Sequence, residues 1–283
     1  MYKEISNAPV DIADKDVALK VIDVFKEKFS INLTGLHSFL IRRRLALAFK
    51  SQGICIEEFI VNNDLLSPES ADQMLGAFFP DHSEMFRDIE TWLIIRDKVF
   101  NSLCEKKVIN ILFPYTTMGE EIYSLLILLK EFYPAANIKL KISSSSDWAL
   151  RRISNGYIVR PKSRLFLANY KLLCDKNEIS DYFEKANNTL CFKRELLNNV
   201  EFVKCNDENV FDEELYDFII CRNKTLSFNH EEATKIILKT IAQVSENGVI
   251  VFGVNENIPK SLMNNFHAIS WSEKIFQRKA HEK

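Results

Sequence analysis

Four polar groupings in this sequence have types and spacings that bear on chemistry. Glu120 and Glu121 follow Gly119 at the head of an apolar stretch. Paired carboxylates in the first turn of a helix are favoured by the helix dipole alone, and they can also hold a cationic ligand group. Arg222 and Asn223 stand directly after the apolar run Tyr216–Cys221. Two polar residues in that place point to a cleft role rather than to core. Asn206 and Asp207 follow 201–205, where Asn serves equally as a turn former or as a hydrogen-bonding reader of a ligand. Arg42, Arg43 and Arg44 are consecutive in a helical stretch. Three successive helical residues cannot share one face, and a solvated face is the usual outcome.

The parts of several other chemistries are missing. The five histidines, at 37, 82, 230, 267 and 281, form no metal-ligand spacing, and no Ser-His-Asp or metal constellation is visible. The six cysteines are scattered without a CxxC pair, which reads as reduced, buried thiols of a cytoplasmic protein. A net charge of -2 gives the molecule no electrostatic pull on nucleic acid. No apolar run reaches the ~18 residues of a membrane helix, and Met1-Tyr2-Lys3-Glu4 lacks the plan of a signal peptide.

The elements that must position these residues follow from periodicity. At 283 residues the chain exceeds the usual size of one core, so two domains are expected. Apolar spacing predicts helices over 14–29 and 34–51, the latter stopping at Gly53, and shorter ones near 56–62 and from Ser67-Pro68-Glu69 to about Leu75. A longer helix over 84–103 bridges to a region of different rhythm. There, strands at 108–113, 138–142, 201–205, 216–221 and 248–252 alternate with helices at 119–132, 147–154 and 231–244. Apolar strands in βα alternation predict a mostly parallel sheet covered on both faces, with ligands beyond the carboxyl ends of its strands. The polar excursion at 157–200 reads as a small β insertion, with a strand at 190–194. The tail after Trp271 is polar and is expected to fray. The domains are thus 1–83, a bridging helix 84–105, and 106–283 with the insertion.

In order and spacing, a series of motifs resembles the chemotaxis-receptor glutamate methyltransferase family. They are Ala77-Phe78-Phe79, Gly119-Glu120-Glu121-Ile-Tyr-Ser124, Glu195-Leu196, Val200-Glu201-Phe202 leading to Asn206, Cys221-Arg222-Asn223, Asn247-Gly248-Val249-Ile250 and Asn255-Glu256-Asn257. Each is short; together, at the ends of the right strands, they are specific over roughly residues 30–260. The resemblance implies an N-terminal helical domain and an S-adenosylmethionine (SAM) methyltransferase Rossmann-like α/β domain. It implies SAM as cofactor, a receptor glutamate as methyl acceptor, and a chemoreceptor or other signalling protein as partner. It places Gly119, Glu120, Glu121, Ser144, Asn206, Asp207, Arg222 and Asn223 at the cofactor and Arg42 and Arg43 toward the acidic receptor segment. No general base is required, because a glutamate side chain of pKa ≈ 4.3 is already ionised near neutrality. The protein mainly has to hold two partners in line.

Several positions depart from the family pattern. The loop before Gly119 reads Phe113-Pro114-Tyr115-Thr116-Thr117-Met118, where a Gly is usual, and the chain has only seven Gly, well below the ~7% norm. The acid that holds the ribose hydroxyls is replaced by Ser144, and Asp147 lies three residues further on. Met74, Gly76 and Pro80 replace an Asn, a Thr and an Arg, and Ser227 replaces a Tyr. A hydrogen bond to a charged group is worth about 1.5–3 kcal/mol, so two or three such losses weaken binding by several powers of ten. Two readings follow: a methyltransferase with weakened or lost catalysis, and a non-catalytic relative that binds a signalling partner.

Overall fold

The computed structural model describes residues 12–78, 84–158, 165–174, 177–186, 189–205 and 214–280. The chain divides into two compact units, one running to Pro80 and including Ser227–Ala233, the other comprising Asp81–Leu226 and Thr234–Lys283.

The first unit is helical: α1 (Lys15–Phe29), α2 (Ser38–Gln52), α3 (Ile56–Val61) and α4 (Pro68–Phe78). Asp14 caps α1 by accepting the amide N–H of Asp16 at 2.8 Å. Gly53, at φ 69°, ends α2 in the left-handed conformation that glycine adopts without penalty. Helix α2 starts at Ser38, later than its apolar spacing predicts. Residues 34–36 are drawn instead into a turn whose Leu36 bridges to Phe228. The core is aromatic: Phe25 lies 5.6 Å from Phe78 and 6.3 Å from Phe49, and Phe49 lies 5.0 Å from Phe59. These are ring spacings that favour edge-to-face packing.

The second unit is a seven-stranded sheet with helices on both faces. Its strands are β1 (Ile109–Phe113), β2 (Ile138–Ser144), β5 (Val200–Lys204), β6 (Tyr216–Cys221), β7 (Val244–Phe252), β8 (Phe266–Ser270) and β9 (Ile275–Arg278), in the order β5-β2-β1-β6-β7-β9-β8. Strands β5, β2, β1, β6 and β7 pair in parallel, and β9 inserts antiparallel between β7 and β8. The tail after Trp271, as far as the described residues run, is therefore held in the sheet. Ile275 and Phe276 are fully buried, and their burial against β7 outweighs the polarity around them.

Alternation along the strands assigns the two faces. Phe113, Ile142 and Phe218 pack with Trp92, Val99 and Leu125. Leu112, Ile219 and Ile250 pack with Ile237 of α10 (His230–Ala242). On the first face a continuous helix comprises α5 (Ile89–Ile94), a π turn (Ile95–Val99) and α6 (Phe100–Leu103), beside α7 (Glu120–Phe132). This helix begins at Ile89 rather than at 84, because Phe86 and Asp88 take φ of 54° and 55°, outside the helical region. Helix α8 (Asp147–Ser154) follows β2, with Ser146 Oγ accepting the Ala149 amide N–H at 3.0 Å.

The excursion between β2 and β5 holds α9 (Leu165–Leu173) and an antiparallel hairpin of β3 (Phe183–Ala186) and β4 (Thr189–Phe192). Glu131 on α7 anchors it. Its carboxylate accepts from Asn177 Nδ2 at 2.6 Å, from Tyr170 Oη at 3.2 Å and from Tyr182 Oη. Burial raises the Glu131 pKa, but these hydrogen bonds outweigh it and hold the carboxyl below its ordinary value.

Candidate functional site

The order of the strands reverses between β1 and β6. The crevice outside the carboxyl ends of these two strands is where open α/β sheets hold ligands. The loop after β1 and the Arg222-Asn223 pair after β6 both open there.

The loop after β1 reaches the head of α7 without a glycine until position 119. Tyr115 takes the left-handed conformation at φ 53°, a strained state for a bulky residue. Pro114 is buried. Thr116 is held by its amide donating to the Ser143 carbonyl at 2.8 Å. The Gly119 requirement has a local cause. A Cβ there would stand 2.3 Å from Cζ of Tyr123, whose ring stacks on Phe192 at 4.5 Å and whose hydroxyl donates to the Ile153 carbonyl at 2.9 Å. Burial raises the Tyr123 phenol pKa well above its ordinary value, with the Glu120 charge adding to the effect. Ser124 accepts from the Phe86 amide at 3.0 Å.

Glu120 and Glu121 are both buried at the N-terminus of α7. Glu121 accepts from Arg222 Nη1 at 2.8 Å. Arg222 is fully buried, and its Nη2 pairs with Asp88 at 2.5 Å. Asn223 sits at φ 59°, and its side chain lies where a Cβ on Gly253 would come within 2.3 Å of Asn223 Oδ1. Ser144 is buried, and its Oγ accepts the Ser146 amide at 3.2 Å. Ser143 Oγ, on the same strand end, is buried with no hydrogen-bond partner among the described residues. Asn206 and Asp207 lie outside the described residues, as does Pro80.

The basic run separates as helical geometry requires. Arg42 Nε donates to the Ala13 carbonyl at 2.7 Å. Arg44 is half-buried, donating to the Phe78 carbonyl and, at 3.0 Å, to Ser227 Oγ. Burial, and then the Arg43 charge, lower its pKa to about 10, so it stays charged at neutral pH. Arg43 is exposed. Ser227 and Met74, two of the departures, are buried within the first unit.

Two further residues shape the crevice. Glu256, of the Asn255-Glu256-Asn257 motif, is buried and accepts from the amides of Gly253 at 2.6 Å, Thr225 at 2.7 Å and Asn223 at 2.9 Å, and from Thr225 Oγ1 at 2.6 Å. It binds the loop after β6 to the loop after β7. Asp88 carries no sequence signal beyond being an acid near a helix start. All six cysteines are free thiols, with Cys55 and Cys104 exposed and the other four buried. Among the described residues no three His, Cys, Asp or Glu gather as a metal site, and no helix is long and apolar enough to cross a membrane.

A mostly parallel seven-stranded sheet in this order, with an acidic helix start at its switch point, defines the SAM-methyltransferase class of Rossmann-like folds. Residues 81–275 match the model of the CheR methyltransferase SAM binding domain, more than half of the chain. The chain belongs to the CheR methyltransferase family, whose cofactor is S-adenosylmethionine. It is 23% identical over 267 residues to a Pseudomonas putida protein named methyltransferase Cher3, covering 93% of this chain and 97% of that one. It is 24% identical over 261 residues to a Borreliella burgdorferi chemotaxis protein methyltransferase, covering 86% and 89%. The solved N-methyltransferase NodS from Bradyrhizobium japonicum WM9 aligns at a TM-score of 0.39 and 10% identity, covering 74% of this chain and 98% of that one.

The site residues fit the cofactor, unequally at its two ends. Arg222 is the one cation among the buried charged residues described, against the buried carboxylates Glu120 and Glu121 at the head of α7. Buried carboxylates in that place suit a ligand carrying an ammonium and a sulfonium. At the end of β2 the fit is weaker, because among the described residues that strand end offers a ribose the neutral hydroxyls of Ser143 and Ser144.

Proposed function

We propose that this chain methylates a glutamate side chain of a chemoreceptor or related signalling protein, with reduced affinity for SAM. The observation that carries the reading is the pair of buried carboxylates at the head of α7, set at the switch point of the sheet. When bound, SAM supplies an electrophilic methyl group: an acceptor carboxylate oxygen forms the new O–C bond while the electron pair of the C–S bond goes to sulfur, and no proton moves. The protein groups therefore orient and desolvate rather than exchange protons. Glu120 is assigned to the ammonium of the cofactor and Asn223 to the crevice wall. Arg43, exposed on α2, is assigned to an acidic receptor segment, with long-range attraction as its contribution. The name of the Borreliella burgdorferi relative supports the chemotaxis setting.

The reduced affinity follows from Ser144. A carboxylate accepts two charge-assisted bonds from a ribose diol, whereas a serine offers one neutral bond. The same observation favours the second reading, a non-catalytic partner-binding role, if affinity falls too far. Incubation with methyl-labelled SAM and an acidic receptor fragment separates the two. Base-labile label on the fragment is expected. Absence of label at a SAM concentration shown to saturate the protein would leave the non-catalytic role.

A further inference from the structure

We propose that the guanidinium of Arg222 is a positioning group that shapes the crevice rather than a ligand of the cofactor; the inference rests on the SAM site described above. Its guanidinium ties the end of β6 to two other segments, the head of α7 and the turn at 87–88. Nη1 donates to Glu121 Oε1 at 2.8 Å and to the Arg87 carbonyl at 3.3 Å, and Nη2 donates to Asp88 Oδ2 at 2.5 Å. Arg222 itself is fully buried at the end of β6. Its planar fork is therefore committed to protein groups, and only Nε is without a partner among the described residues.

The arrangement overrides two local preferences. Asp88 occupies the N-cap position of α5, where an Asp normally accepts an amide N–H of the first turn. It makes no such bond, and its carboxylate is given to Arg222. Asp88 also sits at φ 55°, two residues after Phe86 at φ 54°. Backbone in that region persists where its surroundings fix it on several sides, and here they do. The Phe86 amide donates to Ser124 Oγ at 3.0 Å, Asn169 Nδ2 donates to the Phe86 carbonyl at 3.1 Å, and Trp92 Nε1 donates to the Arg87 carbonyl at 3.0 Å. The Arg87 carbonyl is thus shared by Arg222 and Trp92. Removing Arg222 releases the 86–88 turn and takes from the buried Glu121 its 2.8 Å bond to the guanidinium. It also alters the head of α7, where Glu120 lies.

The test uses the full chain with Arg222→Met, Arg222→Lys, Glu121→Met, the double variant R222M/E121M, and Asp88→Asn. Titration with S-adenosylhomocysteine should weaken roughly tenfold or more in R222M, since a buried ion pair is then broken. The double variant should be no weaker than R222M, because the two residues act as one unit. R222K should recover part of the affinity. The indole N–H resonance of Trp92 should move in R222M and in D88N, with faster hydrogen exchange, in protein without ligand. Additive losses in the double variant, or an unmoved Trp92 resonance, would overturn the proposal in favour of a direct ligand role. If R222M does not fold, R222K and D88N give the same comparison. If the unaltered chain binds no S-adenosylhomocysteine, the SAM reading fails by itself, and the Trp92 resonance still decides the positioning role.

Discussion

Replacing Gly119 with alanine separates two explanations for a glycine at the head of α7. The backbone there, at φ -96° and ψ -10°, is open to any residue, so conformational freedom is not the reason. Room is the reason. An added Cβ would meet Cζ, Oη and Cε2 of Tyr123 at 2.3, 2.4 and 2.6 Å, against an optimal carbon separation of about 3.5–4.0 Å. Tyr123 has to retreat by about 1 Å, but Phe192 stacks on its ring at 4.5 Å and the Ile153 carbonyl holds its hydroxyl. Overpacking of this kind costs about 1–3 kcal/mol, and a buried hydroxyl pulled from its acceptor adds a loss of similar size. We expect G119A to lose about 2–4 kcal/mol of stability in urea unfolding followed by circular dichroism. The double variant G119A/Y123L, which clears the ring, should recover part of that loss relative to Y123L. If G119A unfolds at the same urea concentration as the unaltered chain yet loses cofactor binding, the steric argument is wrong and the glycine serves ligand approach.

Three other outcomes follow from the same geometry. Ser144→Asp restores a charged acceptor at the end of β2 and should tighten SAM binding by about 10–100-fold, from about 1.5–3 kcal/mol; unchanged affinity would show that the ribose does not lie there. Glu256→Leu strands three amides and a hydroxyl and should cost at least about 3 kcal/mol of stability in urea unfolding; a loss below about 1 kcal/mol would show that solvent replaces the carboxylate. Glu131 is held below its ordinary value near 4.5, so its stabilisation is present above that pH and is lost as pH falls through the lower folded-state value. The acid-side decline in stability should flatten in Glu131→Gln, and an identical pH profile would remove Glu131 from the account.

Much of the second unit was legible in the sequence because its central strands, β1, β6 and the later half of β7, are largely apolar runs. Tyr216–Cys221 is buried at every position and coincides with the expected strand. The tail was misread because a four-residue strand offers too little alternation to stand out, and its burial depends on β7, reached from far along the chain. The start of the helix after residue 84 was misread because left-handed Phe86 and Asp88 are imposed by tertiary partners rather than by local preference. That Glu121 stands at the head of α7 and Arg222 directly after β6 was legible from the motifs. Their pairing was not, since they lie 101 positions apart and Arg222 and Asp88 lie 134 apart. At Gly119, which the resemblance places at the cofactor, the structure shows a further demand that the sequence did not reveal, the close approach of Tyr123 of its own helix.

The most direct test of the account is a calorimetric titration of the purified chain with SAM. A micromolar site weakened by the loss of one charged ribose contact should bind with Kd on the order of 100 μM. The account predicts measurable heat and a thermal shift in that range. No heat and no shift at millimolar SAM would contradict the cofactor site itself, and sub-micromolar binding would contradict the weakening assigned to Ser144.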